Sequence, residues 1–388
     1  MAGPEDCFNI EDLRLLARKK LPKGIFEFVD RGTEDEIALS GNRQAFQRVK
    51  LRNRVCIDVM STTVGSTLFG KPMGLPLAVS PTGLAGLCWF EGELALARAA
   101  AAAGVPCTLA TASVTAMERL AKEAPGRLWF QLYMWRDRAL SHGLVRRARD
   151  AGFEALILTA DTGLGGNREH NKRNGFTSPI RLSRRNIPDL LRRPGWLARV
   201  MLPYMMKSGI PRYENYPEGH RNSVMKTAGG KQARCQDMTW KDVDEVRQLW
   251  PGPFIVKGVL RPDDARRAVD CGADGIIVSN HGGRALDAAA APIDVLPEIV
   301  EAVGDRTTVI LDSGVRRGSD IVKALALGAK AVMMGKGMLY GVAVGGEAGA
   351  ARALDLMRNE FRQTLGFVGC RDVGEVSRDV FWTPRTVV

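Results

Sequence analysis

Short apolar runs that end in polar or glycine residues recur eight times along this chain, separated by segments whose apolar positions fall at helical spacing. LPLAVSPTG ends at Ser80 to Gly83, VPCTLATAS ends near Thr111, and in LWFQLYM the polar Gln131 and Tyr133 alternate with apolar neighbours. ALILTADT ends at Thr159 and Asp161, FIVKG carries Lys257, and GIIVS leads through Ser279 to His281. TVILDSGVRRG and AVMMGKG complete the set. Amphipathic or alanine-rich stretches such as Glu93 to Ala103, Ala116 to Glu123, Pro262 to Cys271 and Ser319 to Leu327 lie between them. Strand and helix thus alternate every 25 to 35 residues or so (roughly), the signature of βαβ units carrying a parallel sheet.

This pattern predicts an α/β chain closed as a (β/α)8 TIM barrel, with an N-terminal helical segment and a long insertion after the fourth strand. An open doubly wound sheet would want GxGxxG after its first strand and an acidic residue farther on, and the sequence carries no such fingerprint. The expected organisation is one domain over 1–388, with helical residues 1–70, a barrel over 71–388 and a basic insertion over 177–236. The chain's 388 residues leave room for both additions, since a minimal barrel needs about 250.

In such barrels chemistry sits at the carboxyl ends of the strands, which is where the polar residues fall. The stretch SNHGGRALD is the most informative of them. A neutral imidazole at His281 accepts a proton near neutral pH, and the planar fork of Arg284 holds a carboxylate, a pairing suited to proton abstraction from an anionic substrate. Taken alone, the same residues also suit a turn whose His and Arg only cap the next helix.

Composition changes this picture little. An apolar fraction of 45% is ordinary for a globular enzyme. The start MAGPEDCFNIEDLRLLARKK reads as an amphipathic helix after an acidic cap rather than a secretory signal. The uncharged run Ala99 to Met117 is broken by Gly104 and Pro106 and reads as helix, turn and strand rather than a membrane span. The 7 cysteines are scattered without a CxxC or a pairing with the 4 histidines, so a reducing, cytoplasmic setting and no metal site are expected.

The net charge of +12 is concentrated in part in the insertion, where Arg181, Arg184, Arg185, Arg192, Arg193, Arg199 and Lys207 alternate with Ile, Leu, Trp196, Met and Tyr204. Such a stretch suits either a lid or subunit contact with solvated arginines, or peripheral contact with the inner, anionic face of a membrane. No zinc knuckle or RNA-binding signature accompanies the charge, so nucleic acid is not an expected partner.

Taken in order, LPKGIFEFVDRGTEDE, SPTGLAGL, FQLY, TADT, VKG, SNHGGRALD and LDSGVRRGSDIVKALALGA resemble the FMN-dependent L-2-hydroxy acid dehydrogenases and oxidases, among them glycolate oxidase, L-lactate dehydrogenase and mandelate dehydrogenase. The resemblance implies FMN across the barrel mouth. Pro81, Thr82 and Gly83 would lie beside the flavin N5, Gln131 and Thr159 at its pyrimidine end, and Lys257 near N1, where a cation stabilises charge gained on reduction. Ala110 and Ser279 would adjoin the cofactor, and Asp312, Ser313, Gly314, Arg316, Gly335 and Lys336 would surround its phosphate. For a 2-hydroxy acid, His281 would be the base, Asp161 its supporting carboxylate, Arg168 and Arg284 the carboxylate grip, and Tyr133 a partner of the substrate's hydroxyl or carboxylate.

Departures from the family pattern bear on the substrate. Phe28 stands where many relatives have a tyrosine, Ala112 where glycolate oxidase has a tryptophan, and Lys336 where an arginine is usual. Phe28 cannot make the tyrosine's hydrogen bond to the substrate carboxylate, and Lys336 keeps the charge at the phosphate without the bidentate fork. Ala112 suggests a wider pocket for a medium or aromatic acid such as mandelate, with lactate as the smaller alternative. Gly83 resembles the dehydrogenases more than the oxidases, so a quinone is the expected electron acceptor and oxygen the alternative. The family also implies a homotetramer. A flavin-dependent isomerase on a similar barrel would leave the grouping of Arg168, Arg284 and His281 without a purpose.

Overall fold

Eight parallel strands close on themselves in the order in which they occur, as the repeated apolar runs predict. They are β1 (Leu77–Val79), β2 (Cys107–Ala110), β3 (Leu128–Leu132), β4 (Ala155–Thr159), β5 (Phe254–Val259), β6 (Gly275–Val278), β7 (Thr308–Asp312) and β8 (Ala331–Met334). Closure comes from β8, which pairs on one side with β1, Val332 beside Leu77, and on the other with β7, Val332 beside Leu311. The computed structural model describes residues 3–176, 180, 182–226 and 235–382.

Alternation along each strand sorts side chains into two cores. Trp129, Ile157, Ile255, Ile277, Ile310 and Met333 fill the barrel interior with Ala78, Ala155 and Ala331, large residues beside small. Their neighbours Phe130, Leu156, Leu158, Phe254 and Val256 face outward into the layer shared with the helices. An antiparallel hairpin, Ser66–Leu68 with Lys71–Met73, brings Leu68, Phe69 and Met73 onto the interior cluster and so closes the barrel floor. Phe69 meets the Trp129 ring edge-on at 6.0 Å between centroids.

The N-terminal segment folds as α1 (Ile10–Lys20), α2 (Lys23–Asp30) and α3 (Ile37–Arg48). Asn9 caps α1 by accepting from the Asp12 amide at 2.9 Å. Ile10, Leu13 and Ala17 form its buried face, at the three- and four-residue spacing of a helix. The α2 helix ends with its carbonyls turned toward the carboxyl-end mouth of the barrel, where they accept from Arg284 and Lys336.

The long insertion lies between β4 and β5. Within it Pro194–Trp196, a π-helical turn Leu197–Met201 and Leu202–Lys207 follow one another as a helical stretch. Trp196, Val200 and Tyr204, four residues apart, are buried. Trp196 Nε1 donates to the Leu87 carbonyl at 2.8 Å, and Tyr204 Oη accepts from the Glu91 amide at 3.2 Å. Leu202, Met205 and Met206 are exposed, as are Arg199 and Lys207. Arg181 lies outside the described residues. Among those described, no helix is long and apolar enough to cross a membrane.

Candidate active site

The strand ends surround a cavity of about 220 Å³, far beyond the ~10–15 Å³ that one water needs. His281 reaches it from the turn after β6. Three successive residues there, His281, Gly282 and Gly283, have left-handed φ of 58°, 67° and 70°. For a histidine this conformation costs on the order of 1 kcal/mol or more, and a lattice of hydrogen bonds over-determines it. The His281 amide donates to Ser279 Oγ at 3.0 Å, the Gly282 amide to Ser313 Oγ at 2.9 Å, and the Gly283 amide to Asn280 Oδ1 at 3.2 Å.

His281 Nδ1 lies 3.0 Å from Asp161 Oδ1, and Nε2 lies 3.4 Å from the Tyr133 hydroxyl. Burial lowers the imidazole's pKa below its ordinary value, with Asp161 opposing and Lys257 adding to the fall. The Asp161 carboxyl is also lowered: burial would raise it, but His281 outweighs this. An ionised Asp161 accepts a hydrogen bond from Nδ1–H, leaving Nε2 as the accepting atom of a neutral ring.

Lys257, on β5, is buried and bonded to Ser279 Oγ at 2.7 Å and Asp312 Oδ2 at 2.8 Å. Burial would strip its proton, yet Asp312 and Asp161 prevail and raise its pKa. Asp312, grouped above with the phosphate residues, lines the same cavity as they do. Its carboxylate accepts from Lys257, from Ser279 Oγ at 2.7 Å and from Ser80 Oγ at 2.8 Å, which makes it the lysine's counter-ion as well. Ser279 and Gln131 stand behind the wall: Gln131 Nε2 donates to Thr159 Oγ1 at 2.9 Å, and Thr159 lines the cavity.

Arg284 and Arg168 both line the cavity, with Phe28 and Tyr133. Arg284 Nη1 donates to the Phe28 carbonyl at 2.6 Å, and its guanidinium carbon stands 5.1 Å from the Phe28 ring centroid. Burial first, then Arg168, pushes the Arg284 guanidinium well below its ordinary pKa, a strain that an anion between the two would relieve. Pro81, Thr82, Gly83, Ala110 and Ala112 form a flat wall of small groups. A Cβ on Gly83 would stand 3.3 Å from the Ala112 carbonyl oxygen and 3.4 Å from its Cβ, so a larger residue there would press on Ala112.

At the other end Ser313 and Gly314 have φ of 87° and 88°, and Arg316, Gly335 and Lys336 complete the lining. A Cβ on Gly314 would come within 3.0 Å of the Asn42 carbonyl oxygen, so only glycine fits. Burial, then Arg284 and Arg316, holds the Lys336 ammonium well below its ordinary pKa. Clustered cations at one end, a buried ammonium at Lys257 and a small-residue wall between fit an elongated ligand with a flat ring and a phosphate tail, as FMN has.

Several contributors lie outside the strand-end motifs. Asn42 and Asn280 exchange hydrogen bonds at 2.9 and 2.7 Å, fixing the His281 turn to α3. Arg43 Nη1 donates to the Gly314 carbonyl and to Asp320. The one sequence signal was a polar Asn42 on the face of α3 that also buries Ala38, Ala45 and Phe46.

Residues 17–383 match the family model described as FMN-dependent dehydrogenase. The chain is 39% identical over 376 residues to the (S)-mandelate dehydrogenase of Pseudomonas putida, covering 97% of this chain and 94% of that protein. It is 40% identical over 380 residues to an L-lactate oxidase of Nostoc sp., covering 97% and 98%. A crystal structure of the monotopic membrane protein (S)-mandelate dehydrogenase superposes with a TM-score of 0.91 at 39% identity, covering 98% of this chain and 100% of that one.

Proposed function

Because the chain belongs to the FMN-dependent dehydrogenase family, we propose that its cavity oxidises a medium or aromatic L-2-hydroxy acid, such as mandelate, to the 2-oxo acid. The observation that carries this reading is His281, paired with Asp161 at 3.0 Å and lining one cavity with Arg284 and Arg168. FMN, when bound, supplies the redox chemistry by taking up the two electrons removed from the substrate.

This chain's residues do the rest. Arg284 and Arg168 hold the substrate carboxylate, and Tyr133 donates to its oxygen atoms. Nε2 of His281 receives the proton, and Asp161 stabilises the imidazolium that forms. Lys257, kept charged by Asp312, is the fixed cation near the electron sink. Pro81 to Gly83, Ala110 and Thr159 support the ring of FMN, with Gln131 and Ser279 fixing the groups behind them. Ser313, Gly314, Gly335, Arg316 and Lys336 hold its phosphate.

The small Ala112 and the apolar Phe28 ring favour an aromatic side chain over lactate. A quinone is the preferred acceptor, supported by the glycine at Gly83 and by the exposed Leu202, Met205 and Met206 among the cations of the insertion, which suit an anionic membrane surface. The oxygen-using reading draws support from the similarity to an L-lactate oxidase.

Anaerobic bleaching of the flavin with glycolate, lactate and mandelate tests this. Mandelate should reduce it at least tenfold faster than lactate, roughly 1.4 kcal/mol of discrimination. Faster bleaching by lactate would overturn the substrate assignment, and bleaching by none of the three would overturn the reaction. Reoxidation faster by oxygen than by a soluble quinone would make the protein an oxidase.

A further inference from the structure

Four segments distant in sequence meet behind the cation cluster at the phosphate end of the cavity. The Asp30 carboxylate, at the end of α2, accepts from Arg14 Nε at 2.6 Å and Nη2 at 2.8 Å, a two-pronged clamp from α1. It also accepts from the Tyr340 hydroxyl at 2.7 Å. The main-chain carbonyl of the same residue accepts from Lys336 Nζ at 2.8 Å. Tyr340 is 2% exposed, and its ring centroid lies 5.7 Å from the guanidinium carbon of Arg316.

One residue therefore contacts both phosphate-end cations indirectly or directly: Lys336 through its carbonyl, and Arg316 through the tyrosine that its carboxylate holds. Lys336 and Tyr340 are four positions apart in the helix Lys336–Val368, so they rise from the same helical face. We propose that Asp30 and Tyr340, clamped by Arg14, are positioning residues that aim Lys336 and Arg316 at the cofactor phosphate; this rests on assigning the phosphate to those two cations.

The need for such a device follows from having a lysine there. An ammonium is a point charge on a flexible stem, without the planar fork that lets an arginine lock onto a phosphate unaided. Tying one of its three donors to a fixed carbonyl removes rotamer freedom before the ligand arrives and leaves two donors for phosphate oxygens. The carbonyl suits the purpose because it belongs to the last turn of α2, where helix carbonyls lack intrahelical partners and the helix end carries partial negative charge. Asp30's carboxylate adds an anion near two cations that otherwise face one another, and Lys336 in turn helps hold the Asp30 carboxyl in its charged form.

The full-length protein, stripped of flavin, is titrated with FMN and with riboflavin, which has the same ring but no phosphate, following flavin fluorescence. Tyr340→Phe keeps the ring beside Arg316 and removes only the hydroxyl. It should weaken FMN about tenfold while leaving riboflavin within about twofold, and Asp30→Asn should do the same to a greater degree. Equal weakening of both flavins, or of neither, would overturn the positioning role. Lys336→Met separates this failure from that of the underlying assignment: it should nearly close the gap between FMN and riboflavin. If Lys336→Met leaves the gap intact, the phosphate assignment is wrong and the proposal falls with it. If it closes the gap while Tyr340→Phe does not, the positioning role alone is wrong. A thermal melt of Tyr340→Phe within a few degrees of the parent confirms that the comparison is made on folded protein.

Discussion

The turn after β6 and the helical stretch Pro194–Lys207 both join cationic to apolar groups, and they treat them in opposite ways. At the turn and the strand end beside it, partners come from within: Asp161 for His281, Asp312 for Lys257, and the carbonyls of Phe28 and Arg31 for Arg284. In the insertion, Trp196, Val200 and Tyr204 anchor one side, while Leu202, Met205, Met206 and Arg199 are exposed. The first arrangement holds its side chains through internal hydrogen bonds. The second leaves apolar surface and charge exposed, so the two regions should fail in different assays.

The sharpest break in the comparison is His281→Ala. It should retain flavin but slow flavin reduction by the substrate by roughly 10³-fold or more, measured by anaerobic stopped flow; near-parent reduction would remove His281 as the base. Asp161→Asn should cost less, on the order of 10²-fold, and it carries a pH signature. Because burial holds the His281 pKa below its ordinary value, the parent's kcat/KM should be level above pH ~6.5 and fall only as acid protonates the ring. Asp161 opposes that lowering, so without it the acid limb moves to still lower pH. A limb that stays in place or moves up would contradict the pairing.

Changes in the insertion should be smaller and confined to surfaces. Replacing the exposed Arg192 and Arg199 with serine should weaken sedimentation with anionic vesicles about tenfold, while turnover with a soluble acceptor stays within about twofold. Unchanged vesicle binding, or a parent protein that ignores anionic vesicles at low salt, would refute membrane contact.

How much was legible beforehand follows the same division. The strands were readable because a strand buried on both faces must be a short apolar run, and the barrel sets its polar residues at predictable ends. Tyr133, Asp161, Lys257, His281 and Arg284 each fall within a few residues of such an end, and the structure brings them together. Asn42, Arg43, Asp30 and Tyr340 were not readable, because their purpose lies in partners hundreds of positions away and their own helices show only amphipathic spacing. Asp312 was visible as a strand-end carboxylate, but nothing local reveals that Lys257, on another strand, occupies it. The insertion's basic and apolar composition was plain, whereas the four-residue rhythm of its anchors was masked by the apolar residues around them.

The hairpin of Ser66–Leu68 and Lys71–Met73 has a consequence for traffic. With Leu68, Phe69 and Met73 packed into one cluster with Trp129, the described residues close the barrel at its floor. The cavity lies at the opposite, carboxyl end of the strands, so a ligand that enters there meets a packed interior behind it.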